Sequence, residues 1–138
     1  MGWGKVKFST ADQWFSKAVR LSNDYVCERC GMVGGPSKDE KQLQNCHIIG
    51  RRNNATRFST WNTLCMCVNC HRYTGENVNE FKAWIVETFG QGRIDKIDFL
   101  ARGILKPTKM NLKMVSDHYR KEFNRMTKSG DRNLKSWN

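Results

Sequence analysis

The chain has 138 residues, 24 Lys+Arg against 13 Asp+Glu and a formal net charge of +11, which leaves room for one ordinary domain and little more. A hydrophobic fraction of 38% with five Trp and seven Phe suffices for a modest core and excludes a disordered chain, and no stretch approaches the ~20 apolar residues of a membrane helix. A pI of 9.7 and a mean hydropathy of −0.70 point to a polyanionic partner, with nucleic acid ahead of an anionic membrane surface.

The first residues, Met1 to Lys7, hold no apolar run, so no signal peptide is expected. Residues 10–22 fit a helix capped by Thr10, with Trp14, Ala18 and Val19 on one face. Six cysteines follow: Cys27, Cys30, Cys46, Cys65, Cys67 and Cys70. Without a secretion signal a disulfide framework is not expected. Two pairs have the C-x-x-C spacing, Cys27-Glu-Arg-Cys30 and Cys67-Val-Asn-Cys70. Each such turn aims two thiolates at one tetrahedral ion, and two turns complete a Cys₄ zinc site. A redox C-x-x-C is the alternative, but neither pair sits in a βαβ pattern. A chain this small gains much from such an ion, since structural zinc contributes on the order of 10 kcal/mol to folding. Cys65 then reads as a small buried apolar residue.

Between the pairs, Cys46-His47-Ile48-Ile49 reads as a strand ending in a turn at Gly50. Cys67 to Arg72 reads as the second zinc turn leading into a helix with His71 in its first turn, so the shared ion brings His47 and His71 together. Each His taken singly also admits a structural reading: His71 as a zinc ligand in place of a Cys, His47 as a hydrogen-bonded core residue. The charge is concentrated here. Residues 41–75 hold Lys41, Arg51, Arg52, Arg57 and Arg72 with no acid, and residues 106–138 hold nine basic residues against three acidic.

Residues 77–89 fit a second helix, with Val78, Phe81, Trp84, Ile85, Thr88 and Phe89 at helical spacing and Gly90 as its stop. Ile94, Ile97 and Leu100 continue in a short helix ending near Gly103. Thr108 caps a longer helix whose stripe of Leu112, Val115, Tyr119, Phe123 and Met126 is core or partner packing, with His118 beside it as a structural residue. From Ser129 onward the chain reads as a frayed basic tail.

The run Asn62-Thr-Leu-Cys-Met-Cys67-Val-Asn-Cys70-His71 resembles the end of the HNH (ββα-metal) nuclease pattern, N-L-x-x-L-C-x-x-C-H, in every spacing, with only the Leu positions altered. The longer run Cys46-His-Ile-Ile-Gly-Arg-Arg-Asn-Asn-Ala-Thr-Arg-Phe-Ser-Thr-Trp-Asn62 is similar to the phage recombination proteins called NinG or Rap. Phe15 to Leu21, Cys27 to Gly31, Phe81 to Trp84 and Phe89-Gly90 also look like that group. The resemblance covers roughly residues 13–126, and its specific part is residues 46–71.

The resemblance implies an α+β fold: a small zinc-stapled ββα-metal core (about 25–76), an N-terminal helix (about 10–23) and two or three additional C-terminal helices. Residues 1–128 then form one domain, with a helical extension over 77–128 and a flexible basic tail over 129–138. It further implies a metal-dependent endonuclease hydrolysing DNA phosphodiesters. In such enzymes the residue at His47 is the general base, suited by an unperturbed imidazole pKa of ~6.5. His71 would bind a catalytic Mg²⁺ or Mn²⁺, and Asn62 orients the loop that carries the base. Structural Zn²⁺ falls to Cys27, Cys30, Cys67 and Cys70, and phosphate contacts to Arg51, Arg52, Arg57 and Arg72. Many HNH enzymes place a second metal ligand just before the base, where this chain has Cys46. Strand neighbours point to opposite faces and thiolate suits softer ions, so Cys46 is read as structural rather than ligating. His71 then becomes the one protein ligand beside Asn62, water and phosphate. The likeness to recombination proteins implies branched DNA such as a Holliday junction, a two-fold dimer to match it, and the cytoplasm of a phage-infected or prophage-bearing bacterial host. Two other readings stand beside it: an HNH nuclease nicking duplex DNA during genome packaging, and a zinc-stabilised DNA-binding module without catalysis.

Overall fold

The computed structural model describes residues 6–35 and 43–138. Among them run five α-helices and one two-stranded antiparallel sheet: α1 (Thr10–Ser22), β1 (Leu43–His47), β2 (Thr63–Cys67), α2 (Val68–Glu76), α3 (Val78–Phe89), α4 (Gln91–Ala101) and α5 (Lys109–Ser129). None of the described helices is long and apolar enough to cross a membrane.

α1 starts from a capping box one residue earlier than its sequence suggests. Ser9, not Thr10, is the cap: its hydroxyl accepts from the Asp12 N–H, and the Asp12 carboxylate accepts from the Ser9 N–H. Two backbone donors of the first turn are thereby satisfied. Ala11, Phe15, Ala18 and Val19 form the buried face. After the helix, Asp24 (φ 50°) and Tyr25 (φ 58°) take left-handed conformations and turn the chain back toward Cys27.

β1 begins three residues before the apolar run that marks it in sequence, because Gln44 and Asn45 supply extended backbone without hydrophobicity. Its register pairs Leu43 with Cys67, Asn45 with Cys65 and His47 with Thr63. All five residues of β2 are buried, since α1 and α2 both contact the hairpin. Cys67 ends β2 and caps α2, its sulfur accepting from the Cys70 N–H at 3.4 Å. α3 stops at Gly90, whose φ of 93° suits glycine and lets α4 follow at once.

α5 lies along α1, with Val115, Tyr119 and Met126 fully buried. The stripe is internal core, and each such side chain contributes roughly 1.5–3 kcal/mol. The Phe15 ring lies 4.6 Å from that of Tyr119 and 6.0 Å from that of Phe58. Residues 130–138 do not fray. They lack regular secondary structure, yet Arg132 pairs with Asp24 at 2.8 Å and the Lys135 N–H donates to Glu122 at 2.9 Å. Further along, Ser136 accepts from the Thr60 N–H at 3.0 Å, and Asn138 donates to the Ala55 carbonyl at 2.7 Å. The Trp137 N–H donates to the Tyr119 hydroxyl, which itself donates to the Phe58 carbonyl. The segment is a strap over the loop from β1 to β2. Leu134 and Trp137 pack against the core beside these bonds, and the partners lie far away in sequence, which concealed the strap.

Candidate metal centre and cleft

The two C-x-x-C turns meet. The sulfurs of Cys27, Cys30, Cys67 and Cys70 all lie within 4.8 Å of one another, and the Cys30–Cys67 separation is 3.7 Å. Four thiolates at the usual Zn–S distance of 2.3 Å form a tetrahedron with edges of about 3.8 Å. The cluster therefore fits a structural ion such as zinc. Gly31, at φ 79°, makes the turn that wraps the first pair. Burial pushes the Cys27 thiol up, but backbone N–H groups at Cys30, Cys67 and Arg29 more than reverse this and bring it to about 7. The turn is bolted to the sheet through Glu28, whose N–H donates to the Cys65 carbonyl at 2.8 Å and whose carboxylate accepts from the Cys65 N–H at 2.7 Å.

His71 is not part of this cluster, and neither are Cys46 and Cys65. Burial pushes the Cys65 thiol up to about 12 and the Cys46 thiol to about 11. Cys46 is buried, with its sulfur 4.0 Å from the Thr74 hydroxyl on α2. His47, its strand neighbour, turns the other way, toward Phe15 of α1.

A cleft of about 540 Å³ lies along the outer edge of β1, lined by Asn45, His47, Arg51, His71 and the α1 side chains Asp12 and Ser16, with Phe8 at its wall. Both histidines have one ring nitrogen assigned by its partner. His47 Nε2 lies 2.9 Å from the Arg57 carbonyl. A carbonyl only accepts, so Nε2 carries the proton and Nδ1 keeps its lone pair. Burial, with the Arg51 and Arg57 charges, drives the His47 pKa down to about 4 against the pull of that hydrogen bond, and the ring is neutral at pH 7. His71 Nδ1 lies 2.7 Å from Gln44 Oε1, which leaves its Nε2 lone pair open. A hydrogen bond on the far nitrogen is the usual support of a metal-binding imidazole.

Asn62 is fully buried and spends its whole amide on the loop between the strands. It accepts from the Ile49 N–H at 2.7 Å and donates to the Ile49 and Thr56 carbonyls at 2.8 and 3.2 Å. It therefore positions the segment beside His47, and no part of its side chain lines the cleft. The expectation that it completes a metal shell does not hold.

Arg57 is the second correction. It is 4% exposed, and its guanidinium donates to Asp12 from Nε at 3.1 Å and from Nη2 at 2.5 Å, with the Lys7 carbonyl at 2.8 Å. A phosphate cannot reach it. It holds the loop to α1 and aims its own carbonyl at His47. Arg51 does line the cleft, with Nη1 3.8 Å from Asp12. Arg52 and Arg72 are exposed, and Arg72 borders a shallow groove shared with Gln44 and His71. Lys41 lies outside the described residues.

Sequence reasoning missed Asp12, Gln44, Phe8 and the strap. The S-x-x-D capping box places Asp12 at a helix start, but its ion pair spans 45 residues and no local pattern reveals it. Gln44 becomes readable once β1 is extended to Leu43. No protein-family model, curated protein or solved structure gives a significant match to the chain.

Proposed function

We propose that the protein is a divalent-metal-dependent DNA endonuclease of the HNH class, with His47 as general base. One observation carries the reading: two imidazoles line the same cleft, each with its far nitrogen committed to a fixed acceptor and its near nitrogen free. His47 Nδ1 takes a proton from water as that water attacks a phosphodiester phosphorus. The bond from phosphorus to the 3′ oxygen breaks, leaving a 5′-phosphate and a 3′ oxygen that becomes a hydroxyl by taking a proton from solvent. His71 Nε2 would hold a Mg²⁺ or Mn²⁺ ion, which supplies charge neutralisation at the phosphate and the departing oxygen. One imidazole in an open cleft suits such an ion, because it keeps several waters and takes phosphate oxygens as its other ligands. Arg51 lies beside the same space, and its planar fork matches a phosphate. Asn62 and Arg57 act through position alone.

The likeness of residues 46–71 to phage recombination nucleases favours branched DNA over plain duplex. A second reading, a zinc-stabilised DNA-binding module without catalysis, is favoured by Cys46, which turns away from the cleft and leaves His71 as its one imidazole ligand. The two readings part in a plasmid-cleavage assay with Mg²⁺ or Mn²⁺. The nuclease cuts, and His47→Ala abolishes cutting while DNA binding and folding persist. A wild type that binds DNA yet cuts under neither metal is the module. A gel comparing four-way junction, flap and duplex then sets the substrate.

A further inference from the structure

We infer that Phe8 and Arg51 form a nucleotide subsite in this cleft, with Phe8 stacking on one unpaired base beside the phosphate that His47 and His71 address. The inference rests on the cleft being a DNA site and goes further in naming what must enter it. Phe8 lies in the cleft wall and is 56% exposed. The Arg51 guanidinium sits over its ring at 5.4 Å from the centroid, and the exposed ring area remains for a ligand. Arg51 is itself tethered, 3.5 Å from the Val6 carbonyl and 3.8 Å from the Asp12 carboxylate. Its side chain is nevertheless 31% exposed and lines the cleft. An aromatic face and a part-exposed arginine, held side by side in one cleft, match the two halves of a nucleotide: base and phosphate.

Paired bases have both faces covered by their neighbours in the duplex, so an aromatic side chain stacks on a base only where the strand is single, frayed or branched. The cleft volume of about 540 Å³ falls in the usual range for small-ligand sites and has room for one splayed nucleotide. The subsite therefore selects DNA with an unpaired nucleotide next to the cut.

A coupling cycle tests this by binding alone. Fluorescence anisotropy is measured in Ca²⁺ on a single-stranded oligonucleotide with one abasic residue moved along its length, using the full chain and Phe8→Ala. At one position, loss of the base should weaken wild-type binding by about five- to a hundredfold. Phe8→Ala on intact DNA should lose the same factor, the two changes together should lose no more, and Phe8→Trp should restore binding. Circular dichroism of Phe8→Ala should match wild type, since the ring is exposed. Independent, multiplying losses, or unchanged affinity in Phe8→Ala, overturn the subsite. Because no cleavage is read, a protein that never cuts DNA defeats the nuclease reading and leaves this cycle intact, and a missing coupling does the reverse.

Discussion

The cysteine cluster and the histidine cleft are both small polar sites anchored on the same hairpin, and they are built on opposite plans. The cluster is closed. Four sulfurs face one another, Cys67 caps α2, and Glu28 ties the first turn to β2. Its four sulfurs converge on one point and three of the four cysteines are buried, with Cys30 at the surface, as in structural metal sites, whereas catalytic sites keep positions open. The cleft is the open case. His47 and His71 each commit one nitrogen to the scaffold and leave the other to the cavity, and their supports come from Arg57, Asn62 and Gln44. A closed site is specified by its own spacing. An open one depends on the elements behind it, so its residues fail in different ways.

The largest expected effect falls on the closed site. Cys30→Ser removes one of four ligands, and structural zinc contributes on the order of 10 kcal/mol, comparable with the whole stability of a small domain. The variant should be unfolded by circular dichroism, while the wild type carries about one zinc per chain. Full stability after complete chelation would show that the cluster holds no structural ion.

The scaffold behind the cleft comes next. Arg57→Ala leaves Asp12 buried without its partner and should cost about 3–5 kcal/mol in urea unfolding. The exposed Arg72→Ala should cost less than about 0.5 kcal/mol. Arg57 and the Ser9 cap hold Asp12 below the usual carboxylate range despite the opposing effect of burial, the largest single influence. A depressed carboxylate contributes stability that is present above its unfolded value of about 3.9 and lost as pH falls through the folded value. Stability should therefore drop on acidification below about pH 4, and Asp12→Asn should flatten that part of the curve.

The burial of His47 can be read without any activity measurement. Its folded pKa of about 4 lies below the ordinary imidazole value, so the unfolded chain binds the proton first and stability declines as pH falls from about 6.5 toward 4. Histidine NMR of the folded protein should give a His47 midpoint near 4, and a midpoint near 6.5 would mean that burial does not hold the ring neutral. The smallest effect belongs to the rim: Arg72→Ala should lower the slope of log affinity against log salt by about one unit, with no change in fold.

What the sequence reveals divides along the same line. The C-x-x-C turns, the helix ended by Gly90 and the Thr108-capped helix are legible because spacing or a cap residue encodes them locally. His47, Asn62 and His71 stand out through their resemblance to a known pattern. The role of Arg57 was not readable, because an arginine in an acid-free stretch looks like a phosphate ligand until Asp12 arrives from α1. The strap over 130–138 was hidden for the same reason, since its partners lie at Ala55, Thr60 and Tyr119.

The central claim is that the closed site holds an ion for the fold while the open one needs another for chemistry. Zinc content and DNA cleavage measured on one sample, across a titration with Mn²⁺ and back with a weak chelator, test it most directly. Zinc should stay constant at about one per chain while cleavage rises with Mn²⁺, disappears on its removal and never occurs in His47→Ala. Cleavage that ignores added Mn²⁺, or that survives in His47→Ala, would contradict it.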